Sequence, residues 1–359
     1  MWYLKKVNQG ILDEYVGKLK NGLAKRIKNS NMLTEEQKNV FTDDRLVHLL
    51  RDEPQPLFDL HLEIMKELIP EYDEREFDRL RTANRKIEGN RTAEEKLIVG
   101  KYSLLKTLLK VFGYDQALSQ SKSKSYWLTR VKEQDVCTYC NRQYTFTVIK
   151  DLKNGKREND DSRIARPALD HWFPESLYPI MSLSFYNLIP SCTICNSSAK
   201  GDALFKFETH IHPYLNEKPN PTFKFGYLPN GKRWTVDFID VTDGKEKQML
   251  DDFHLRELYH CHDNLEVSEL LNLALKNNGT YLDRLFKNVL LDFAPMTKEE
   301  IYRMLFGTEM LPDNQDKRPL SKLKHDLLEE IGQVYGVNIV GKNDRVSSSV
   351  FQFLVSKTM

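Results

Sequence analysis

Cys137-Thr138-Tyr139-Cys140 and Cys192-Thr193-Ile194-Cys195 are the two stretches that decide the fold of this 359-residue chain. Four thiolates carried on two short Cys-x-x-Cys turns can close a tetrahedral zinc site with little strain in either turn. A zinc ion with four cysteine ligands has no open coordination position, so we expect it to be structural rather than catalytic. The 51 residues between the two turns are far more than the roughly 15–20 of an ordinary zinc ribbon. A folded segment is therefore expected between them.

Polar residues that suit hydrolysis lie inside that segment, in Leu169-Asp170-His171-Trp172-Phe173-Pro174. The Asp170 carboxylate is a hard ligand of the kind that Mg²⁺ or Mn²⁺ prefers. The ordinary pKa of a histidine lies near neutrality, so His171 is suited to take a proton from water. An Asp-His pair alone is more often a satisfied hydrogen bond than a catalytic site. Its position between two Cys-x-x-Cys turns makes it a candidate.

Three further residues extend the candidate site. Asn196 directly follows Cys195 at the predicted start of a helix, where its amide oxygen could complete a metal site. Asn187 is expected to hold a loop through side-chain-to-backbone hydrogen bonds. Lys200 lies four residues after Asn196, on the same helical face, and is expected either to contact phosphate or to be an ordinary solvated lysine.

As a set, these residues resemble the HNH endonuclease family in its four-cysteine, ββα-metal form, over about residues 135–205. The matching positions are Cys137, Cys140, Leu169, Asp170, His171, Pro174, Asn187, Leu188, Pro190, Cys192, Cys195, Asn196, Lys200 and Gly201.

The resemblance implies a role for each polar residue. Asp170 would bind the catalytic divalent ion, Mg²⁺ or Mn²⁺, and Asn196 would complete that ion's site. His171 would be the general base, and Asn187 would orient the loop that carries it. Trp172-Phe173 replaces the more usual aliphatic pair, and the stretch between Cys140 and Asp170 is longer than in compact members.

The implied activity is metal-dependent cleavage of phosphodiester bonds in nucleic acid, with DNA favoured over RNA. More loosely, the sequence resembles larger bacterial HNH proteins, a group that includes the nuclease subunit of Septu antiphage systems, which works with an ATPase partner. The chain has no Walker A loop, so nucleotide control would need that partner. The main alternative is a non-catalytic zinc module that binds nucleic acid or protein. A zinc deaminase is disfavoured, because it needs Pro-Cys-x-x-Cys where this chain has Pro190-Ser191-Cys192.

The charge of the chain predicts only local nucleic-acid contacts. Lys and Arg number 53 and Asp and Glu 52, a net charge of +1. Residues 142–166 carry seven basic against four acidic side chains. We therefore expect Arg142 and Arg166, together with Lys200, to bind substrate, although a solvated face is an equally good interpretation.

The overall pattern predicts an α+β chain that is mostly helical, with a second β-hairpin after the zinc-stapled module. Capping boxes begin at Thr34, Thr92 and Thr297. Apolar residues spaced mostly three and four apart predict one helix from about 93 to 112, which should end at Gly113. Hairpins are predicted for 144–149 with 164–169, with a turn at 154–155, and for 223–228 with 234–241. The expected divisions are a helical region at 1–118, a polar linker at 119–130, the nuclease module at 131–212, and a hairpin plus helices at 213–359.

The cysteine content and the chain start favour the cytoplasm. Four of the five cysteines lie in Cys-x-x-Cys pairs, which suits a metal site in a reducing compartment better than disulfides. No signal peptide and no membrane span are expected, so no membrane partner is predicted. His210 and His212 are expected to be packing anchors. A second metal site at His254 and 260–262 is not expected, because adjacent helical residues point in different directions.

Overall fold

The structure, a computed structural model, describes residues 2–150, 162–215, 221–230, 233–277, 298–309 and 311–335. These residues form two compact units. One unit is drawn from Tyr3–Gln134 and Thr145–Glu217, and the other from Met1–Trp2, Asp135–Tyr144 and Lys218–Met359. Across the described ranges, no helix combines the length and the apolar character needed to cross a membrane.

The first unit is mainly helical, as its amphipathic patterns predict. Two of the three predicted capping boxes are confirmed, because the Thr34 hydroxyl caps with Gln37 and the Thr92 hydroxyl caps with Glu95. The third, at Thr297, lies outside the described residues. The helices of this unit are Gln9–Lys28, Glu35–Asn39, Asp43–Arg51, Pro54–Leu68, Phe77–Arg85, Ala93–Lys101, Ser103–Phe112 and Lys122–Val131.

The prediction of a single helix from about 93 to 112 is wrong, because two helices meet at Tyr102. The Tyr102 backbone is non-helical, and its hydroxyl donates to the Asp73 carbonyl at 2.9 Å. The helix Ala93–Lys101, before Tyr102, buries no residue, and Leu97 is 74% exposed. The apolar residues of this helix are therefore not part of the core. The second helix ends as expected, at Gly113 with φ of 50°.

The linker predicted for 119–130 must also be corrected, since Lys122–Val131 is a helix. The alternating Ser and Lys residues conceal an inward face on which Tyr126 and Leu128 are buried. Beyond the helix, the buried Lys132 ammonium donates to the Phe185 carbonyl at 2.9 Å. The wider division into domains stays a prediction.

Two antiparallel strand pairs belong to the first unit. The predicted hairpin is confirmed in a shorter form, with β1 (Val148–Ile149) paired to β2 (Arg163–Ala165). Its expected turn at 154–155 lies outside the described residues. A second pair joins β3 (Ala168–His171) to β4 (Leu188–Ser191), with Asp170 opposite Ile189. A helical turn, Ile194–Ala199, follows β4 and packs against β3, so the chain order here is strand, strand, helical turn.

The second unit contains the second predicted hairpin, which is confirmed as β5 (Lys224–Asn230) paired to β6 (Arg233–Ile239). The helix Ser321–Tyr335 packs on β5, and Phe225 and Phe238 of the two strands are buried. The helices are Gly244–Asp252, Leu255–His260, Ser268–Asn277, Lys298–Phe306 and Ser321–Tyr335. The described chain is therefore rich in helix with small sheets, in line with the α+β class.

Candidate metal centre and hydrolytic site

The first Cys-x-x-Cys turn presents its sulfurs on a tight backbone loop. The Asn141 N–H closes the loop on the Cys137 carbonyl at 3.0 Å, and Asn141 has a left-handed φ of 53°. The Arg142 N–H then points at Cys140 Sγ, 3.4 Å away. These two backbone contacts hold the Cys140 sulfur in one position, and cysteine binds a metal ion as the thiolate.

The second turn repeats this chemistry. The Cys195 N–H lies 3.4 Å from Cys192 Sγ, and the Asn196 N–H donates to the Cys192 carbonyl at 3.0 Å. Cys195 lies in the helical turn Ile194–Ala199, and Cys192 lies just before it.

All four sulfurs come together in one buried cluster. The Sγ atoms of Cys137, Cys140, Cys192 and Cys195 lie within 4.8 Å of one another, and all four thiols are free of disulfides. Tetrahedral zinc with bonds of about 2.3 Å needs sulfurs about 3.8 Å apart. The four buried cysteines are positioned to bind a metal ion, and the donor set fits structural zinc.

Asp170 and Lys200 form a buried ion pair beside the second turn. Lys200 Nζ donates to Asp170 Oδ1 at 3.1 Å and to the His171 carbonyl at 2.5 Å. The Lys200 side chain is 1% exposed and the Asp170 side chain is 4% exposed. Lys200 is thus neither a solvated surface lysine nor a group that reaches outward, and it fixes the carboxylate at the end of β3.

His171 is held in one orientation by its ε nitrogen. Nε2 lies 2.9 Å from the Ser182 carbonyl, and because a carbonyl only accepts, Nε2 must carry the hydrogen. Within the described part of the chain no hydrogen bond engages Nδ1, so the lone pair of the neutral ring is at that atom. Burial lowers the pKa of His171 to about 4, although the bond to Ser182 opposes this shift. The ring is therefore neutral at pH 7, with Nδ1 able to accept a proton.

Asn187 ties down the loop that follows His171. Its Oδ1 accepts from the Phe173 N–H at 2.7 Å, and its Nδ2 donates to the carbonyls of Phe173 and Met181 at 3.1 and 3.0 Å. The residue is fully buried. This is the loop-holding arrangement expected of an asparagine at this position.

The remaining predicted site residues have contacts outside this cluster. The Asn196 amide donates to Ser197 Oγ at 3.3 Å. Arg166 donates to the Pro167 carbonyl at 2.9 Å and to Ser119. Arg142 donates through Nε to His262 Nε2 at 3.0 Å. The structure brings Asp170, His171 and Lys200 into direct contact, and the roles assigned to these three other residues stay predictions.

Two groups that lie close to His171 are not among the predicted site residues. The Tyr114 ring packs edge-on against the imidazole, with centroids 4.4 Å apart. Burial raises the Tyr114 pKa, and the nearby Arg166 charge opposes that rise. Glu175 Oε2 lies 3.9 Å from His171 Nε2. Glu175 follows His171 by four residues, a spacing that could have been noticed, but nothing in the sequence links Tyr114 to the site.

The other histidines pack mainly as expected. The His212 ring is buried 4.6 Å from Trp172, and the His210 ring stacks on Phe205 at 4.2 Å. Among the described residues, His254 and residues 260–262 do not form a group of three potential metal ligands.

Comparison with known proteins gives two short similarities. The chain is 32% identical over 90 residues to Septu protein PtuB of Bacillus thuringiensis, which covers 25% of this chain and 31% of that protein. It is 41% identical over 51 residues to protein ea31 of Escherichia phage lambda, which covers 14% of this chain and 17% of that protein. The matches therefore span less than a third of either relative. No protein-family profile and no solved structure matches the chain.

Proposed function

We propose that the chain is an HNH-type endonuclease that hydrolyses phosphodiester bonds, with DNA favoured over RNA. The observation that carries this proposal is His171, a neutral imidazole whose Nε2 is fixed by the Ser182 carbonyl and whose Nδ1 lone pair is available. The Asp170 carboxylate directly precedes it in β3, which pairs with β4, and the helical turn Ile194–Ala199 follows β4. The four-cysteine cluster supplies the ligands for the structural zinc ion of this module.

The general base in this proposal is His171 Nδ1, which takes a proton from the attacking water. Asn187 is a positioning residue, because its three hydrogen bonds fix the loop that begins directly after His171. The Ser182 carbonyl keeps the ring in the required tautomer.

The hard ligands for a divalent ion are the Asp170 carboxylate and the Asn196 amide oxygen, and their chemistry fits Mg²⁺ or Mn²⁺. When bound, such an ion neutralises charge on the scissile phosphate and on the leaving oxygen. Asp170 Oδ1 already accepts from the Lys200 ammonium, so the ion would share the carboxylate with Lys200. Lys200 is accordingly proposed as a positioning residue for Asp170 and the His171 backbone, in place of the phosphate contact expected from sequence.

Substrate contacts are proposed for Arg166, which lies near Tyr114 at the edge of the site, and for Arg142. The similarity to Septu protein PtuB supports a role as an antiphage effector subunit, in the cytoplasm, that works with an ATPase partner. Phage plating on cells that carry the chain with and without such a partner tests that role.

The second candidate is a non-catalytic zinc module that binds nucleic acid or protein. The specific observation in its favour is the burial of the Asp170–Lys200 pair, which leaves both side chains less than 5% exposed.

Plasmid cleavage in the presence of Mg²⁺ or Mn²⁺ separates the two candidates. The wild-type chain should nick DNA, EDTA should stop the reaction, and His171→Ala should lower the rate by about 10²–10⁴-fold, the usual effect of losing a general base. His48→Ala is the matched control, because His48 is half-exposed on the helix Asp43–Arg51. A parallel RNA substrate distinguishes the two nucleic acids. Binding without cleavage, in the presence of either ion and of the ATPase partner, would favour the zinc module.

A further inference from the structure

A second group of metal-ligating side chains lies on the helix Ser321–Tyr335. Single ligand atoms of His325, Asp326 and Glu329 lie within 4.8 Å of one another. His325 and Asp326 are buried, with 7% and 5% exposure, and Glu329 is partly exposed. His325 and Glu329 are four residues apart, so they lie on one helical face. None of these residues belongs to the zinc or hydrolytic site.

Two buried polar side chains at this place lack hydrogen-bond partners among the residues that the structure describes. They are the His325 ring, at both of its nitrogens, and the Tyr302 hydroxyl. Burial raises the Tyr302 pKa, and the nearby charges of Asp326 and Glu329 raise it further. Buried polar atoms are nearly always satisfied in folded proteins, and each exception needs an explanation such as an ion. The His325 imidazole is 93% buried, lies next to two carboxylates and makes no hydrogen bond to the described residues. This arrangement points to a bound ligand.

The two carboxylates are held in place by groups that leave oxygens facing the histidine. Asp326 Oδ2 accepts from the Phe225 N–H at 2.8 Å and from Lys322 Nζ at 2.6 Å. The other oxygen, Oδ1, is 3.5 Å from His325 Nδ1. Glu329 Oε2 pairs with Lys224 Nζ at 3.2 Å. Ion pairs with the two lysines hold the carboxylates near His325.

We propose that His325, Asp326 and Glu329 bind a transition-metal ion such as Zn²⁺. One imidazole nitrogen and two carboxylate oxygens are ligands that zinc accepts, and the nitrogen disfavours Mg²⁺ or Ca²⁺. Three protein ligands leave a fourth coordination position for water. The proposal does not depend on nuclease activity.

The competing explanation is a metal-free cluster in which the lysines neutralise the carboxylates and water pairs with the imidazole. The number of zinc ions bound per chain distinguishes the metal site from the metal-free cluster. The purified full chain is equilibrated with excess Zn²⁺, passed through a desalting column, and measured for zinc per chain by mass spectrometry. His325→Gln and Glu329→Gln should each hold one zinc fewer than the wild-type chain and should bind this ion at least ten-fold more weakly in titration.

His48→Gln is the control. His48 also lies on a helix, with its Nδ1 2.9 Å from Asp52 Oδ2, but it does not belong to either cluster of potential metal ligands. It should keep the wild-type zinc count. Melting curves show whether each variant folds. If His325→Gln does not fold, Glu329→Gln decides, because the Glu329 side chain is 27% exposed and glutamine keeps its size. A wild-type chain that holds only the four-cysteine zinc, or a Glu329→Gln variant with an unchanged count, would overturn the proposal.

Discussion

The buried pair between Asp170 and Lys200 gives a quantitative prediction. Lys200→Met leaves the Asp170 carboxylate without its ammonium partner in a place where the two side chains are 4% and 1% exposed. It also removes the 2.5 Å hydrogen bond to the His171 carbonyl. Removing one partner of a buried pair typically destabilises a protein by about 3–5 kcal/mol, because the remaining charge is uncompensated. We expect Lys200→Met and Asp170→Asn each to lower the free energy of unfolding by an amount in this range.

A double-mutant cycle isolates the pair itself. The double variant Asp170→Asn/Lys200→Met contains no unpaired charge, so its loss should be smaller than the sum of the single losses by about 2–3 kcal/mol. The assay is urea unfolding followed by tryptophan fluorescence. Arg85→Met is the matched control, because the Arg85–Asp202 pair in the same unit is 61% and 45% exposed. An exposed pair contributes about 0–1 kcal/mol. Additive losses in the cycle, or a Lys200→Met loss no larger than that of Arg85→Met, would refute the reasoning.

Three further perturbations follow from single sites. Asn187→Ala removes three buried hydrogen bonds and should cost about 2–4 kcal/mol in urea unfolding, whereas a loss below about 1 kcal/mol would show that the loop holds itself. Burial lowers the pKa of His61 to about 3, so the unfolded state, with a pKa near 6.5, takes up the proton first as pH falls. His61 therefore costs no stability above about pH 7 and destabilises the fold increasingly between about pH 6.5 and 3, by about 2 kcal/mol at pH 5. His61→Gln should flatten the loss measured by urea unfolding at pH 7 and 5, and an unchanged slope would exclude this source. Cys192→Ser should lose the structural zinc and melt at a lower temperature, so normal zinc content and melting would contradict the four-thiolate site.

The parts of the site that sequence predicts are those with a local signal. Two Cys-x-x-Cys turns are short enough for their spacing to specify the geometry, and the four sulfurs do cluster. The neighbouring Asp170 and His171 likewise lie together at the end of one strand.

The parts that sequence does not predict depend on distant packing. Lys200 satisfies Asp170 across 30 residues, and no spacing rule distinguishes that from a surface lysine. Tyr114 reaches His171 from a turn after the helix Ser103–Phe112, through tertiary packing alone. The apolar stripe at 93–112 was also misleading, because periodicity does not report the break at Tyr102 or the exposure of Leu97.

The central claim is that His171 acts as a general base beside an inert zinc cluster. Its most direct test is the DNA-cleavage rate of His171→Ala, measured with Mg²⁺ or Mn²⁺ on protein whose zinc content and melting temperature match the wild-type chain. We expect the rate to fall by about 10²–10⁴-fold while zinc content and melting temperature stay unchanged. Cleavage by this variant at the wild-type rate would contradict it.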